Sequence, residues 1–263
     1  MPSDTLLVER REAVTVLTIN RPEVHNCIDA ATADALTAAI ESFASDDDAR
    51  VMIVAGAGDR AFCSGADLKA VEELMQRPGA LRNAPLGFSN LEPRKPRIAA
   101  VEGYCIGGGI ELACWCDFTI AGDGAIFAAL NRRSGVPWVD GGTQRLIRRV
   151  GVGDALYLME TGERIDAARA LQMGLVQEVV PHGTALTRAV ELAERIADYP
   201  QKSLLADREA ALASMGLSLE EGLALEAKLG HPTASEEEFT EGVRRFSADR
   251  RGGEGGTAGI RHP

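Results

Sequence analysis

Three consecutive glycines run into an apolar segment that carries one carboxylate: Gly107-Gly108-Gly109-Ile110-Glu111-Leu112-Ala113. The short apolar run Ile98 to Val101 and a turn at Glu102-Gly103 precede them, and Leu112 to Trp115 is too hydrophobic for a surface loop. The pattern predicts a strand, a glycine turn and the N-terminus of a buried helix. The first N–H groups of a helix have no intrahelical acceptor and carry partial positive charge. Glycines at that point let an anionic atom approach the backbone closely. Glu111 lies three positions beyond Gly108, on the same helix face and one turn inward. An N–H donor beside a carboxylate is what a site needs to stabilise an enolate while moving a proton. A simpler account also fits: a glycine turn before a helix, with a Glu favoured in the first turn by the dipole alone. A phosphate loop fits less well, since no Lys-Ser/Thr follows the glycines and Glu111 would repel a phosphate.

A chain of 263 residues has room for one large domain, or for one domain with a smaller appendage. The net charge of −11 argues against a general nucleic-acid binder, which needs a basic surface, and 5% aromatics leave little for base stacking. Arg94-Lys95-Pro96-Arg97 is a local basic cluster, better read as a solvated loop ahead of a strand. No apolar run approaches the roughly 18 residues of a membrane span. The N-terminus lacks a basic region followed by an apolar core, so a cytoplasmic location is expected. Cys27, Cys63, Cys105, Cys114 and Cys116 match no disulfide framework, and the histidines show no ligand spacing. Buried small hydrophobes account best for these cysteines.

Up to about residue 180 short apolar strands alternate with helical stretches, which predicts parallel pairing with right-handed crossovers. Ala13 to Ile19, Val51 to Val54, Ile98 to Val101, Phe118 to Ala121 and Ala125 to Phe127 read as strands, and residues 30 to 44 as a helix. A polar, Pro-rich connection spans about 70 to 97, a length typical of functional or mobile loops. From Thr184 onward the pattern is helical, and Ser235-x-x-Glu238 reads as a capping box for a last helix ending at Phe246. The expected organisation is a core with the active site over 1–195, a helical region over 196–248, and a glycine-rich disordered tail over 249–263.

Taken together, four segments resemble the crotonase superfamily, the enoyl-CoA hydratase/isomerase family. They are Asn20-Arg21-Pro22 with Asn26; Ala61-Phe62-Cys63-Ser64-Gly65-Ala66-Asp67-Leu68-Lys69; Glu102 to Ala113; and Gly141-Gly142-Thr143-Gln144-Arg145-Leu146. The resemblance runs from Asn20 to about Phe246. It implies an α/β fold, a superhelix (spiral) of ββα turns, with C-terminal helices that build a homotrimer, often paired into a hexamer. It implies an acyl-CoA thioester as substrate and no cofactor, coenzyme A entering as part of the substrate, with neither a nucleic-acid nor a membrane partner. By position, the N–H groups of Ala66 and Gly108 would form the oxyanion hole, Glu111 would be catalytic, and Ser64, Asp67, Leu68 and Lys69 would line the substrate path.

One departure bears on the chemistry. Hydratases of the family carry a second glutamate about where this chain has Asn131, and an amide is neither acid nor base at neutral pH. Asp140 stands where dienoyl-CoA isomerases of the family carry an aspartate, so Glu111 and Asp140 could share proton transfer; equally, Asp140 could cap a helix starting near Gly142. Arg132 and Arg133, beside Asn131, could pair with a substrate carboxylate or make structural ion pairs. The expected activity is an enoyl-CoA hydratase-type lyase. An isomerase, an acyl-CoA hydrolase and a non-catalytic CoA-binding homologue are the alternatives.

Overall fold

A computed structural model describes residues 4–235 and 237–252. The chain forms two compact units, the first ending at Ala197 and the second starting at Asp198.

In the first unit the strands are β1 (Leu6–Arg11), β2 (Val14–Ile19), β3 (Val51–Gly56), β4 (Ala61–Cys63), β5 (Arg97–Val101), β6 (Tyr104–Ile106), β7 (Phe118–Gly122), β8 (Ile126–Ala128), β9 (Ile165–Asp166) and β10 (Glu178–Val180). Its helices are α1 (Ala30–Ser45), α2 (Val71–Gln76), α3 (Ala80–Asn83), α4 (Gly108–Trp115), α5 (Gly142–Val150), α6 (Val152–Thr161), α7 (Ala167–Met173) and α8 (Ala185–Asp198), the last running into the boundary. A six-stranded sheet has the order β1-β2-β3-β5-β7-β10 and a four-stranded sheet the order β4-β6-β8-β9. From β3 to β8 the chain alternates between the sheets, one strand in each per turn, which is the expected ββα spiral. Pairing is parallel as predicted, except that β1 meets β2 and β8 meets β9 antiparallel.

Burial of both faces of the larger sheet explains its uninterrupted apolar strands. Leu17, Ile19, Met52, Val54, Ala99 and Val101 enter the main core. Their alternates Val14, Val16, Val51, Ile53, Ala55, Ile98 and Ala100 pack with Ala185, Ala189, Ala193 and Ala197 of α8. Small alanines every fourth residue let α8 lie close on the sheet.

Several expectations need correction. The connection from 70 to 97 contains α2 and α3, and its apolar residues Leu74, Leu86 and Phe88 are buried. The Arg94–Arg97 cluster is no solvated loop. Arg97 is 3% exposed, bonded to Glu92 and Asp117 and stacked 4.2 Å over Trp115, while the Lys95 ammonium donates to the Phe43 and Asp46 carbonyls. β1 escaped detection because charged residues occupy its exposed edge.

The second unit holds α9 (Gln201–Ala213), α10 (Leu219–Thr233) and α11 (Glu237–Gly252). The capping box here is Ser218 with Glu221, ahead of α10. Ser235 instead donates to the Pro232 carbonyl, and Glu238 accepts from the Lys202 N–H. Helix α11 continues past residue 248 to Gly252; the tail expected beyond it, 253–263, lies outside the described residues. No helix among the described residues is long and apolar enough to cross a membrane. All five cysteines are buried and unpaired, as expected of small hydrophobes.

Candidate active site

Two backbone turns converge on one cavity in the first unit. After β4 the chain passes Ser64 and turns at Gly65 (φ +85°), where a Cβ would sit 2.7 Å from the Gly108 nitrogen. After β6 it turns at Gly107 (φ +54°) into α4. A Cβ on Gly108 would fall 3.0 Å from the Gly65 Cα and 3.7 Å from the Ala66 nitrogen, so the absence of side chains brings the two turns together. Ile28 donates to the Gly65 carbonyl at 2.8 Å and accepts from the Asp67 N–H at 2.8 Å. Backbone groups alternate along an extended segment, so the intervening Ala66 N–H points away from Ile28. The Gly108 N–H opens α4 and has no intrahelical acceptor.

The cavity is about 390 Å³. Ser64, Ala66, Leu68, Gly108, Glu111, Asn131 and Asp140 line it, together with apolar residues that include Leu74, Leu86, Val136 and Trp138. Asp67 is drawn off to an ion pair with Arg21 at 3.0 Å and accepts from the Lys69 N–H, so neither it nor Lys69 is part of the wall. Arg132 donates through Nε to the Met159 carbonyl at 3.1 Å and borders a separate space of about 140 Å³ beyond Trp138.

Glu111 is 2% exposed, and its Oε1 accepts from the N–H groups of Asp140 and Gly142, both at 2.9 Å. Gly142 is the first residue of α5, so a carboxylate from another helix takes the place of a local cap. Asp140 does not cap α5: the cap position is Gly141 (φ +94°), with no side-chain bond. The left-handed turn there leaves Asp140, 1% exposed, to accept through Oδ1 from the Leu86 N–H at 2.9 Å. Asn131 donates from Nδ2 to the Val136 carbonyl at 2.8 Å, which fixes the amide orientation and leaves Oδ1 buried without a partner. The Trp138 indole N–H is also buried and unpartnered.

Burial pushes the Glu111 carboxyl up to about 8, helped by the charge of Asp140 and opposed by the two N–H groups. Burial likewise raises Asp140, to about 6, against the Leu86 N–H and the cations of Arg77 and Arg145. The asymmetry has a physical cause. Asp140 ionises while Glu111 is still neutral, and Glu111 must then ionise beside a charge. Both carboxyls are thus pushed toward neutral pH, Glu111 further than Asp140.

Sequence reasoning reached Glu111 through the glycine turn, and Ser64, Asn131 and Asp140 through the family resemblance. It missed Leu74 and Leu86, hidden in what read as a polar connection, and Trp138, whose ring lies 2.7 Å from where a Gly142 Cβ would be. The glycine pair before Thr143 was the available signal for Trp138: a residue is excluded there because something packs on the backbone.

The model of the enoyl-CoA hydratase/isomerase family matches residues 9–252. The chain belongs to that family. It is an enzyme of the enoyl-CoA hydratase/isomerase type that the family describes. A probable mitochondrial enoyl-CoA hydratase of Dictyostelium discoideum is 38% identical over 248 residues, covering 94% of this chain and 89% of the relative. A probable enoyl-CoA hydratase of Rhizobium meliloti is 38% identical over 252 residues, covering 95% and 98%. The crystal structure of an enoyl-CoA hydratase from Mycobacterium marinum superposes with a TM-score of 0.88 at 34% identity, covering 94% of this chain and 97% of that one. The ββα spiral is thus the crotonase fold.

Proposed function

We propose that this enzyme adds water reversibly across the α,β double bond of an enoyl-CoA thioester, with Glu111 as acid and Asp140 as base. The reading rests on one observation: the carboxyls of Glu111 and Asp140 line the same cavity as Ala66 and Gly108. The thioester oxygen accepts from the N–H groups of those last two residues, and enolate charge developing there is stabilised by about 3 kcal/mol per donor in a dry pocket. Ionised Asp140 takes a proton from water as the water oxygen bonds to the β carbon. The electron pair of the double bond moves toward the thioester oxygen, and the enolate collapses as Glu111 delivers its proton to the α carbon. Water supplies both added groups once the proton returns from Asp140 to Glu111. Leu68, half exposed at the wall, and the exposed Lys69 beside it stand on the path of the thioester and its anionic carrier.

A second reading has its own support. The wall carries carboxyls at 111 and 140 and an amide at 131, so the pair could shift a double bond by moving a proton between two carbons, without water addition. Turnover in D₂¹⁸O decides between them. Hydration places ¹⁸O in a 3-hydroxyacyl product, and Asp140→Asn and Glu111→Gln both suppress it. Isomerisation gives deuterium exchange at carbon with no ¹⁸O. If both variants retained wild-type rates, neither reading would stand.

A further inference from the structure

The segment that bonds Asp140 is itself held by a buried cation. Arg77 follows α2, and its side chain is 2% exposed. Its Nε donates to the Pro85 carbonyl at 2.9 Å and its Nη2 to the Ala84 carbonyl at 2.8 Å. Its Nη1 pairs with Asp34 of α1 at 2.6 Å. The next residue in the chain, Leu86, donates its N–H to Asp140 and sets its Cδ1 2.5 Å from where a Gly108 Cβ would be.

The backbone under this clamp is not relaxed. Ala84 has φ +61° and ψ 166°, a region that side chains other than glycine rarely adopt and that costs on the order of 1–3 kcal/mol. Such a conformation persists when its surroundings over-determine it. Arg77 does so from one side, and the Thr37 hydroxyl, donating to the Gly87 carbonyl at 2.7 Å, does so from the other. A guanidinium is expensive to bury, and its formal counter-ion here, Asp34, is 61% exposed. A neutral residue would fill the space at lower cost if filling it were all that mattered.

We propose that Arg77 is a positioning residue for the reaction: through Ala84–Leu86 it fixes the Asp140 carboxylate in the cavity and sets its guanidinium charge behind it. This rests on the reading of Asp140 as base. The charged and titratable groups around Asp140 are Glu111 on α4, Arg145 on α5 and Arg77, with Asp34 behind Arg77 and Glu92 behind Arg145. Arg77 and Arg145 both favour the ionised form of Asp140, so losing either cation makes the carboxylate protonate at higher pH.

The test is the pH profile of kcat/KM on the purified full-length enzyme with an enoyl-CoA. Arg77→Met is expected to move the acidic limb upward by roughly half to one unit, with Arg77→Lys intermediate. Asp34→Asn, a change at a largely exposed site, is expected to move the same limb downward, because the cation it leaves acts on Asp140 uncompensated. That variant keeps the proposal falsifiable should Arg77→Met fail to fold. Loss of rate or melting temperature with the limb fixed in all three variants would make Arg77 a structural clamp alone and overturn the proposal. Asp140→Asn separates the underlying reading: if the acidic limb survives without Asp140, it is the assignment of the base that fails.

Discussion

Glu111 shows how one side chain serves two demands. Its Oε1 closes the N-terminus of α5, while Oε2 takes no hydrogen bond from the described residues and is free to carry a proton. Unfolded, the group ionises near its ordinary 4.5; folded, near 8. Between those values the folded chain binds more protons, so the contribution of Glu111 to stability is full below about pH 4.5, falls as pH rises, and is gone by about pH 8. Glu111→Gln keeps an acceptor for both N–H groups and removes the ionisation. Thermal melts should therefore show it gaining on wild type by ~2–4 kcal/mol near pH 8 and by little near pH 4.5. The same variant should lose roughly 10²–10⁴ in kcat; normal turnover would remove Glu111 from the mechanism. A profile of kcat/KM against pH should be bell-shaped. Its acidic limb near 6 is protonation of Asp140 and its basic limb near 8 is loss of the Glu111 proton. Asn131→Glu tests the remaining wall position. A third carboxyl facing the cavity should raise the rate of crotonyl-CoA hydration, and an unchanged or lower rate would mean position 131 does not meet the water.

At the scale of elements, the site depends on how closely α4 lies against β4. The three glycines have different tasks. Gly107 supplies the left-handed turn, Gly108 the approach to Gly65, and Gly109 the contact with β4, where a Cβ would stand 2.1 Å from the Cys63 carbonyl oxygen. That oxygen is backbone and cannot move without shifting the Ser64–Ala66 turn. Gly109→Ala should therefore destabilise the fold by about 1–3 kcal/mol, as overpacking of a well-packed core does. In whatever folds, it should also slow turnover, since Ala66 and Gly108 no longer converge. A variant with wild-type melting temperature and kcat would contradict this packing argument. Helices α2 and α3 carry a comparable lesson. Their segment read as a loop because charged and proline residues dominate it, yet Leu74 and Leu86 point inward and close one wall.

For the molecule as a whole, the first unit encloses its core and its cavity, while the second presents apolar side chains. Leu219 is 80% and Leu223 55% exposed in the single chain. Burial of such residues between subunits is the expectation that the family resemblance brings, and light scattering should give a mass of three or six chains; a monodisperse monomer at micromolar concentration would refute it. The sequence by itself determined the alternating strands of the spiral, the glycine turns and the positions of Glu111, Asp140 and Asn131. Those features are local: uninterrupted apolar runs need two buried faces, and glycine marks where backbone meets backbone. Only the tertiary structure decided which polar groups meet. It gave the α5 N-terminus to Glu111, turned Asp140 toward Leu86, and took Asp67 to Arg21 and Arg132 to the Met159 carbonyl. Each of these bonds joins residues 27 to 54 positions apart, and a contact at that separation depends on how the intervening elements pack, which no local pattern records.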